Sequence, residues 1–450
     1  MSASAAKQPG RFDALDTLRC LAVLVMVQGH TFYLVVEDSL RSSAWYGWHN
    51  YLHGFTAPAF LFGAGLAFGV TTLRDFDSHA QVGPTLYKRL YRYLGLFAIG
   101  YFMQMPPLHL DMTGVSAAHV RVFFRVEALQ HIAVGLLVCQ ALVLLLRDRF
   151  NFIATVTVLG VAIVTAGPYL SRLPFEAVLP LGLSAYLTTN TGSTFPLLPW
   201  AGFVFMGVTT AAAIQSRAMT GPSRGLVASL CGAGLALVGL SLAFDLAWPA
   251  IWGDHNYWKV SPYFFLRRFG WVVVLLGAFA AGDLLWSRMG AHGGPGPVRR
   301  MVRLVSQNSL ILYVAHLWVL YGSQFGDARG AMLHSLDLVQ ASALVFGLLA
   351  ALVLMLYGWR FVERNWEKPF LVVRRGVVAS MAAAVVFCMV QVSGLHGIEA
   401  APPMAKADTP HPVEPMAVPV VEPVVEAIQA SAEATASELM PGEPTALAVE

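Results

Sequence analysis

The chain has 450 residues, 56% of them hydrophobic and 12% charged, with a formal net charge of +3. A soluble globular domain is about a quarter charged, so this composition excludes a soluble enzyme and predicts an integral membrane protein. The sequence has no Walker-type loop, no dinucleotide-binding glycine motif and no metal-ligand spacing of Cys or His. It therefore gives no support for ATP hydrolysis, a dinucleotide cofactor, a bound metal or nucleic-acid binding.

The first apolar run, Leu18–Val36, is long enough to cross a bilayer. Three polar side chains interrupt it, namely Arg19, Gln28 and His30. Ionisable groups at membrane depth normally face a protein interior or a water-filled cavity, because exposure to lipid is costly. We therefore expect Arg19 and His30 to face a site inside the protein.

Ten further apolar runs follow, separated by polar loops, and the first loop, residues 37–50, is rich in Trp and Tyr. The predicted spans are 18–36, 52–73, 86–105, 126–146, 152–169, 196–214, 226–246, 263–285, 305–320, 338–357 and 377–392. The sequence thus predicts an all-α, polytopic membrane helix bundle of about eleven transmembrane helices.

The basic residues orient this bundle. With the N-terminus in the cytoplasm, most Lys and Arg residues fall in the cytoplasmic loops and few in the outer loops, as the positive-inside rule expects. We predict a cytoplasmic segment at residues 1–13, a transmembrane domain at 14–395 and an extracytoplasmic tail at 396–450. The tail is rich in Pro, Glu and Ala and has no aromatic residue, so we expect it to be disordered.

Arg19 and His30 lie eleven residues apart, which is close to three turns of an α-helix. Both side chains would share one face, about 16 Å apart along the axis. A cation at the cytoplasmic mouth suits an anionic ligand, and a deeper His suits a general base or an acyl-transfer nucleophile. The alternative is structural: Arg19 would anchor the helix end and His30 would bind a neighbouring helix.

Other polar groups lie in or beside the predicted spans. Glu127 and His131 are further catalytic candidates: they would share a helix face and could orient each other and polarise a catalytic group, or form a purely structural pair. Arg125 at the outer end could attract an acidic acceptor, or serve only as a surface charge. Arg268, next to Arg267, could contact substrate or Asp254.

Two candidates, Asn308 and His316, lie on the ninth predicted span with Tyr313. We place them near substrate. For His316 on an otherwise apolar helix, the alternative is a core histidine whose hydrogen bonds are all made within the protein.

Four segments of the chain resemble the large superfamily of membrane acyltransferases, which includes the acyltransferase-3 family and the heparan-α-glucosaminide N-acetyltransferase family with its bacterial relatives. The segments are RFDALDTLRCLAVLVMVQGH, FTAPAFLFGAG, FPLLPWAGFVFMGV and SLILYVAHLWVL, and the resemblance they carry spans most of residues 10–370. The first has Asp16, Arg19 and His30 where that superfamily has Asp-x-x-Arg and, eleven residues later, His or Asn. It departs at Cys20, where Gly is usual.

The resemblance implies an acyl group carried on coenzyme A, engaged from the cytoplasm, and a hydroxyl or amine acceptor, often on a sugar. Arg19, with Arg89 and Arg92 of the inner basic cluster, would bind the acyl-CoA. His30 would be the essential histidine. Heparan N-acetyltransferases have Asn at that position and their catalytic His later in the chain, so His53 and then His49 follow as candidates.

We therefore expect an integral acyltransferase of the inner (plasma) membrane, with acetyl-CoA or another acyl-CoA as donor substrate, no metal, and a carbohydrate or cell-envelope glycan as acceptor. The alternative is a secondary, proton-coupled transporter of a small polar solute, since intramembrane His, Glu and Arg suit that class as well. Against a transporter, the two halves of the sequence show no repeat. The sequence leaves the oligomeric state open.

Overall fold

The computed structural model of the protein describes residues 12–105, 116–217, 223–288, 296–322, 330 and 332–393. Their regular structure is helical, apart from one isolated bridge between Val36 and Leu336. The helices are α1 Asp13–Val35, α2 Asp38–Arg41, α3 Ala44–His53, α4 Thr56–Arg74, α5 Phe76–His79, α6 Pro84–Phe102, α7 Ala117–Phe124, α8 Ala128–Leu146, α9 Arg149–Leu170, α10 Phe175–Val178, α11 Leu181–Leu187, α12 Leu197–Arg217, α13 Arg224–Ala247, α14 Tyr257–Val260, α15 Pro262–Arg288, α16 Pro297–Gln307, α17 Ser309–Tyr321, α18 Leu338–Asn365 and α19 Glu367–Ser393. The predicted tail, 396–450, lies outside the described residues.

The helices confirm a polytopic membrane bundle. Nine stretches of the described chain are long and apolar enough to cross a bilayer, and the bent pair α16–α17 would make ten. The remaining predicted span corresponds to α6, which is 19 residues long but carries Lys88, Arg89 and Arg92 in its first half. Those charges explain why composition alone leaves α6 out of the count.

Two sequence predictions need correction. The segment predicted as a loop, residues 37–50, is mostly helical: it contains α2 and most of α3. The span predicted at residues 305–320 is two helices, α16 and α17, which meet at Asn308 with an angle of 71° between them. Asn308 itself has φ −112° and ψ 20°, which is outside the helical range.

Close approach of helices in the core depends on glycine. A Cβ on Gly65 of α4 would lie 1.9 Å from the backbone oxygen of Val204 on α12. The reverse contact is equally tight, because a Cβ on Gly207 would lie 2.3 Å from the oxygen of Phe62. Only backbone-to-backbone packing fits here, as is common between membrane helices.

Helix α1 lies at the centre of the site region, in contact with α3, α4, α15, α16, α17 and α18. The α16–α17 pair runs beside it in the same direction. Near the start of α1, Arg303 Nη2 donates to Asp13 at 2.9 Å. One turn on, Ser306 donates to Asp16 at 2.8 Å, and near its far end α1 meets α17.

Candidate active site

Four of the predicted site residues form one group, which we call the histidine cluster: His30 of α1, His49 and His53 of α3, and His316 of α17. The ring centroids of His30 and His53 are 5.4 Å apart, and those of His30 and His316 are 5.2 Å apart with 15° between their planes. His49 stacks on His53 at 6.3 Å, because the two lie one turn apart on α3. Two other helices, α3 and α17, thus place imidazoles around His30.

The shortest contact in the cluster joins two of these rings. His30 Nδ1 lies 2.9 Å from His316 Nε2. His316 is fully buried, and its Nδ1 lies 2.8 Å from the backbone oxygen of Leu312, one turn earlier on α17. His30 is only partly buried, and Tyr321 donates to its backbone oxygen at 3.4 Å.

His53 packs against the backbone of α1 at Gly29. A Cβ on Gly29 would lie 1.7 Å from His53 Cδ2 and 2.3 Å from Nε2, so only glycine admits the ring. His53 Nε2 is buried and has no hydrogen-bond partner among the described residues. His49 is held differently, since its Nε2 lies 3.0 Å from the Gln28 side-chain oxygen.

Arg268 of α15 lies beside the cluster and is 3% exposed. Its guanidinium carbon sits 4.8 Å from the ring centroid of Tyr51, 4.2 Å from Phe55 and 5.0 Å from Phe264. Nη1 donates to the backbone oxygen of Tyr51 at 3.0 Å. Aromatic faces attract a cation but leave most of its N–H groups without an acceptor.

Among the described residues, the neighbouring Arg267 has a carboxylate partner and Arg268 has none. Arg267 Nη2 forms an ion pair with Asp245 at 2.8 Å. In the described part of the chain, no carboxylate lies within ion-pair distance of Arg268, and the contact with Asp254 that the sequence left open is not among its interactions. Arg268 is therefore a buried cation whose charge the described residues leave uncompensated.

Glu127, Arg125 and His131 form a second group at the start of α8. Arg125 Nε lies 2.8 Å from a Glu127 carboxylate oxygen, which also accepts from Thr194 at 2.8 Å. His131 Nδ1 lies 2.9 Å from the backbone oxygen of Phe195. Glu127 and His131 thus both bind the segment that precedes α12, rather than each other.

Tyr313 of α17 lies between the two groups. Its ring centroid is 5.8 Å from that of His316, and its phenol is near enough to Glu127 and Arg125 for their charges to act on it. The second group therefore belongs to the same region of the bundle as the histidine cluster.

Arg19 lies near the other end of α1. It is partly buried and donates to the backbone oxygen of Gly63 at 3.1 Å. Asp16, Ser306 and the helix break at Asn308 are at the same end of α1, and the Asn308 side chain donates to the oxygen of Leu304 at 2.6 Å. Asn308 thus caps the end of α16 at the break, about two helical turns before His316 of α17.

Arg89 is buried in a polar cage between α4, α5, α6 and α8. Its two terminal nitrogens contact Thr72 at 2.9 Å, Thr71 at 3.0 Å, Gln140 at 3.0 Å and His79 at 3.3 Å. Burial and the charge of Arg89 lower the pKa of His79, which favours a neutral ring that can accept. These contacts occupy Arg89 within the protein, whereas Arg92, one turn away, is exposed.

Three residues of the site region had no assigned role in the sequence. Gln28 and Gly29 immediately precede His30 and hold His49 and His53 respectively. Tyr321 ends α17 beside His30, with ring centroids 6.3 Å apart. The sequence pattern that could have indicated Gln28 and Gly29 is the Gln-Gly-His triplet inside an apolar helix. Polar side chains at membrane depth are costly, so such a triplet indicates contacts with other helices.

The fold and the cluster together define a multi-pass membrane protein whose ionisable side chains meet inside the helix bundle. Residues 11–244 match the family described as heparan-alpha-glucosaminide N-acetyltransferase, catalytic. The match covers more than half of the 450 residues, and the chain belongs to that family. A search among curated proteins finds no match.

The family match contains α1, α3 and α4, and with them three members of the histidine cluster. It ends before α15 and α17, so Arg268 and His316 lie beyond it. The match confirms the resemblance to the heparan N-acetyltransferase family that the sequence motifs indicated. The link to the acyltransferase-3 family stays a prediction.

Proposed function

We propose that this protein transfers an acetyl or other short acyl group from acyl-CoA to a hydroxyl or amine of a carbohydrate acceptor in the cell envelope. It would do so within the inner (plasma) membrane, taking the donor from the cytoplasm. Membership of a family named for an N-acetyltransferase supports acetyl transfer to a sugar. Acetyl-CoA is then the first donor to test.

The observation that carries this proposal is the contact between His30 and His316 at 2.9 Å, with the His53 ring alongside. An imidazole that a second group holds in place, partly exposed inside a bundle, is the arrangement general-base catalysis needs. His30 is therefore our first candidate for the base, followed by His53 and His49.

The proposed transfer is a direct attack of the acceptor on the thioester, with His30 as the general base. The acceptor O–H or N–H gives its proton to the His30 imidazole while the acceptor oxygen or nitrogen bonds to the thioester carbonyl carbon. The carbon–sulfur bond breaks, and the thiolate takes the proton back from the imidazolium to leave as free CoA. A two-stage route, in which the imidazole first takes the acyl group and then passes it on, uses the same residues.

Two arginines are placed to stabilise the negative charges of this reaction, one on the carbonyl oxygen and one on the donor. Arg268 lies beside the cluster, where a buried cation with unused N–H groups would stabilise negative charge developing on the carbonyl oxygen. Arg19, at the opposite end of α1, would bind the anionic donor, together with the exposed Arg92. Arg125 and Asn308 remain candidates for acceptor binding and Glu127 and His131 for a catalytic role, while Arg89 follows Arg92 as a candidate for donor binding.

The experiment is to incubate the purified full-length protein with labelled acetyl-CoA and a glucosamine-terminated saccharide. Free CoA and labelled saccharide are then measured. We expect His30→Ala to lower kcat about 10²–10⁴-fold, the usual range for loss of a general base. His119→Ala, which removes an exposed histidine on α7, is the matched control and should keep wild-type activity.

Two outcomes would contradict the proposal. Full activity in His30→Ala would exclude His30 as the base. Absence of both CoA binding and CoA release in the wild type would favour the transporter reading, which predicts solute-driven proton movement in vesicles.

A further inference from the structure

The position of the protons on His316 follows from its own helix. Its Nδ1 lies 2.8 Å from the Leu312 backbone oxygen, and a carbonyl oxygen can only accept a hydrogen bond. Nδ1 must therefore carry a hydrogen. A neutral imidazole has one N–H and one bare nitrogen, so His316 Nε2 is a bare acceptor.

That acceptor faces His30. His316 Nε2 lies 2.9 Å from His30 Nδ1, so His30 Nδ1 carries the hydrogen that joins the two rings. The other nitrogen of a neutral His30, Nε2, then holds a free lone pair. His30 is partly exposed and His316 is fully buried, so the basic nitrogen is on the ring that a substrate can reach.

We propose that His316 is a positioning residue, which holds His30 in its Nδ1–H form and so makes His30 Nε2 the atom that takes the proton of the acceptor. This role rests on the proposed acyl transfer. It assigns His316 a function different from the substrate contact that the sequence suggested. The chain of hydrogen bonds runs from His30 through His316 to the Leu312 carbonyl.

This chain of hydrogen bonds contains no carboxylate, which distinguishes it from sites where Asp or Glu orients the base. The group that orients His30 is a neutral imidazole, itself fixed by a backbone carbonyl of the same helix. When His30 becomes protonated, the acceptor nitrogen of His316 still receives its hydrogen bond, and that bond is stronger because its donor is charged. The geometry of the base is thus the same before and after proton transfer.

The direct test is the tautomer of His30, which needs no turnover. The full-length protein, labelled with ¹⁵N-histidine and reconstituted in lipid, is examined by NMR above the pH at which imidazoles protonate. The signals of His30 among the 13 histidines are those lost in His30→Asn. We expect a protonated Nδ1 and a bare Nε2, with a shift toward the Nε2–H form in His316→Leu, which offers no acceptor.

A second variant separates positioning from folding. His316→Gln places a carboxamide oxygen near the former Nε2 and can accept from His30 again. We expect His316→Leu to lower kcat by up to about 10⁴-fold with little change in the KM for acetyl-CoA, because a catalytic histidine in the wrong tautomer loses about that much. The kcat of His316→Gln should be at least about tenfold higher than that of His316→Leu.

The failures of the two proposals are distinguishable. A wild-type His30 with its proton on Nε2, or an unchanged tautomer in His316→Leu, would overturn the positioning role while acetyl transfer stands. Equal kcat in wild type and in a folded His316→Leu would overturn it as well. An absence of acetyl transfer in the wild type would overturn the proposed function and the catalytic part of this inference, and NMR would still decide the hydrogen-bond chain.

Discussion

Replacing Gly29 with Ala tests whether the place of the His53 ring matters for activity. The added Cβ would lie 1.7 Å from His53 Cδ2, whereas carbon atoms in contact are about 3.5–4.0 Å apart. The ring must therefore move by about 2 Å. A misplacement of about 1 Å can cost about 10²-fold in rate, so we expect kcat to fall at least about 10²-fold.

The same substitution has two opposing effects on stability. Alanine favours a helix interior over glycine by about 0.5–1 kcal/mol, whereas overpacking a tight contact costs about 1–3 kcal/mol. The net change in the free energy of unfolding should therefore be small and, on balance, unfavourable. Gly47→Ala on α3 is the matched control, because no atom lies within 4 Å of its added Cβ.

The assay is labelled acetyl transfer with a melting temperature measured on each purified variant. The double variant Gly29→Ala/His53→Ala should recover the melting temperature of Gly47→Ala, since the clashing ring is gone, but it should not recover activity. Wild-type kcat in Gly29→Ala would refute the reasoning, because a ring displaced by this much would then have no part in the reaction.

Two further predictions concern the basic residues and the tail. Arg89→Gln should lower the free energy of unfolding by about 1–3 kcal/mol, because its caged partners lose their donors, with little change in the KM for acetyl-CoA. Arg92→Gln should do the opposite, raising KM at an unchanged melting temperature; the reverse pattern would assign donor binding to Arg89. Deleting residues 400–450 should leave kcat nearly unchanged, and an inactive truncation would show that the tail does more than tether.

The sequence predicted the helical class and the polar face of α1 because both depend on local pattern. Long apolar runs predict spanning helices, and an eleven-residue spacing places Arg19 and His30 on one face. It ranked His49 and His53 as separate alternatives because His49 fell in the predicted loop, residues 37–50, and His53 in the next predicted span, 52–73, whereas one helix, α3, carries both. The segment is short and rich in Trp, Tyr and His, so it lacks the apolar period of a helix, and the shared face of α3 was not visible.

The residues that contact His30, Arg268 and Arg89 could not be predicted from the sequence. His316 lies 286 positions from His30, and the two rings meet only because the chain breaks at Asn308 and α17 then lies against α1. Arg268 and Arg89 also show why charge type alone does not assign a role. Both are buried arginines, yet polar acceptors surround Arg89 and aromatic faces surround Arg268.

The direction of α17 beside α1 also predicts the path of α6. The α16–α17 pair runs in the same direction as α1. Asp13 contacts Arg303 of α16 near one end of α1, and His30 contacts His316 of α17 near the other end. Segments that cross a bilayer in the same direction must be separated by an odd number of crossings. Six apolar spans of the described chain lie between them, so one more crossing is needed.

Helix α6 is the described helix long enough to supply that crossing, and with it the described chain would have the eleven spans that the sequence predicts. Its exposed Lys88 and Arg92 would extend toward the headgroups. The test places single cysteines at exposed Asp77 and Ala118, on either side of α6, in a background without the four natural cysteines. A membrane-impermeant maleimide added to intact cells should label Ala118→Cys and not Asp77→Cys. Labelling of both from the same side would mean that α6 does not cross, and then α1 and α17 could not lie parallel.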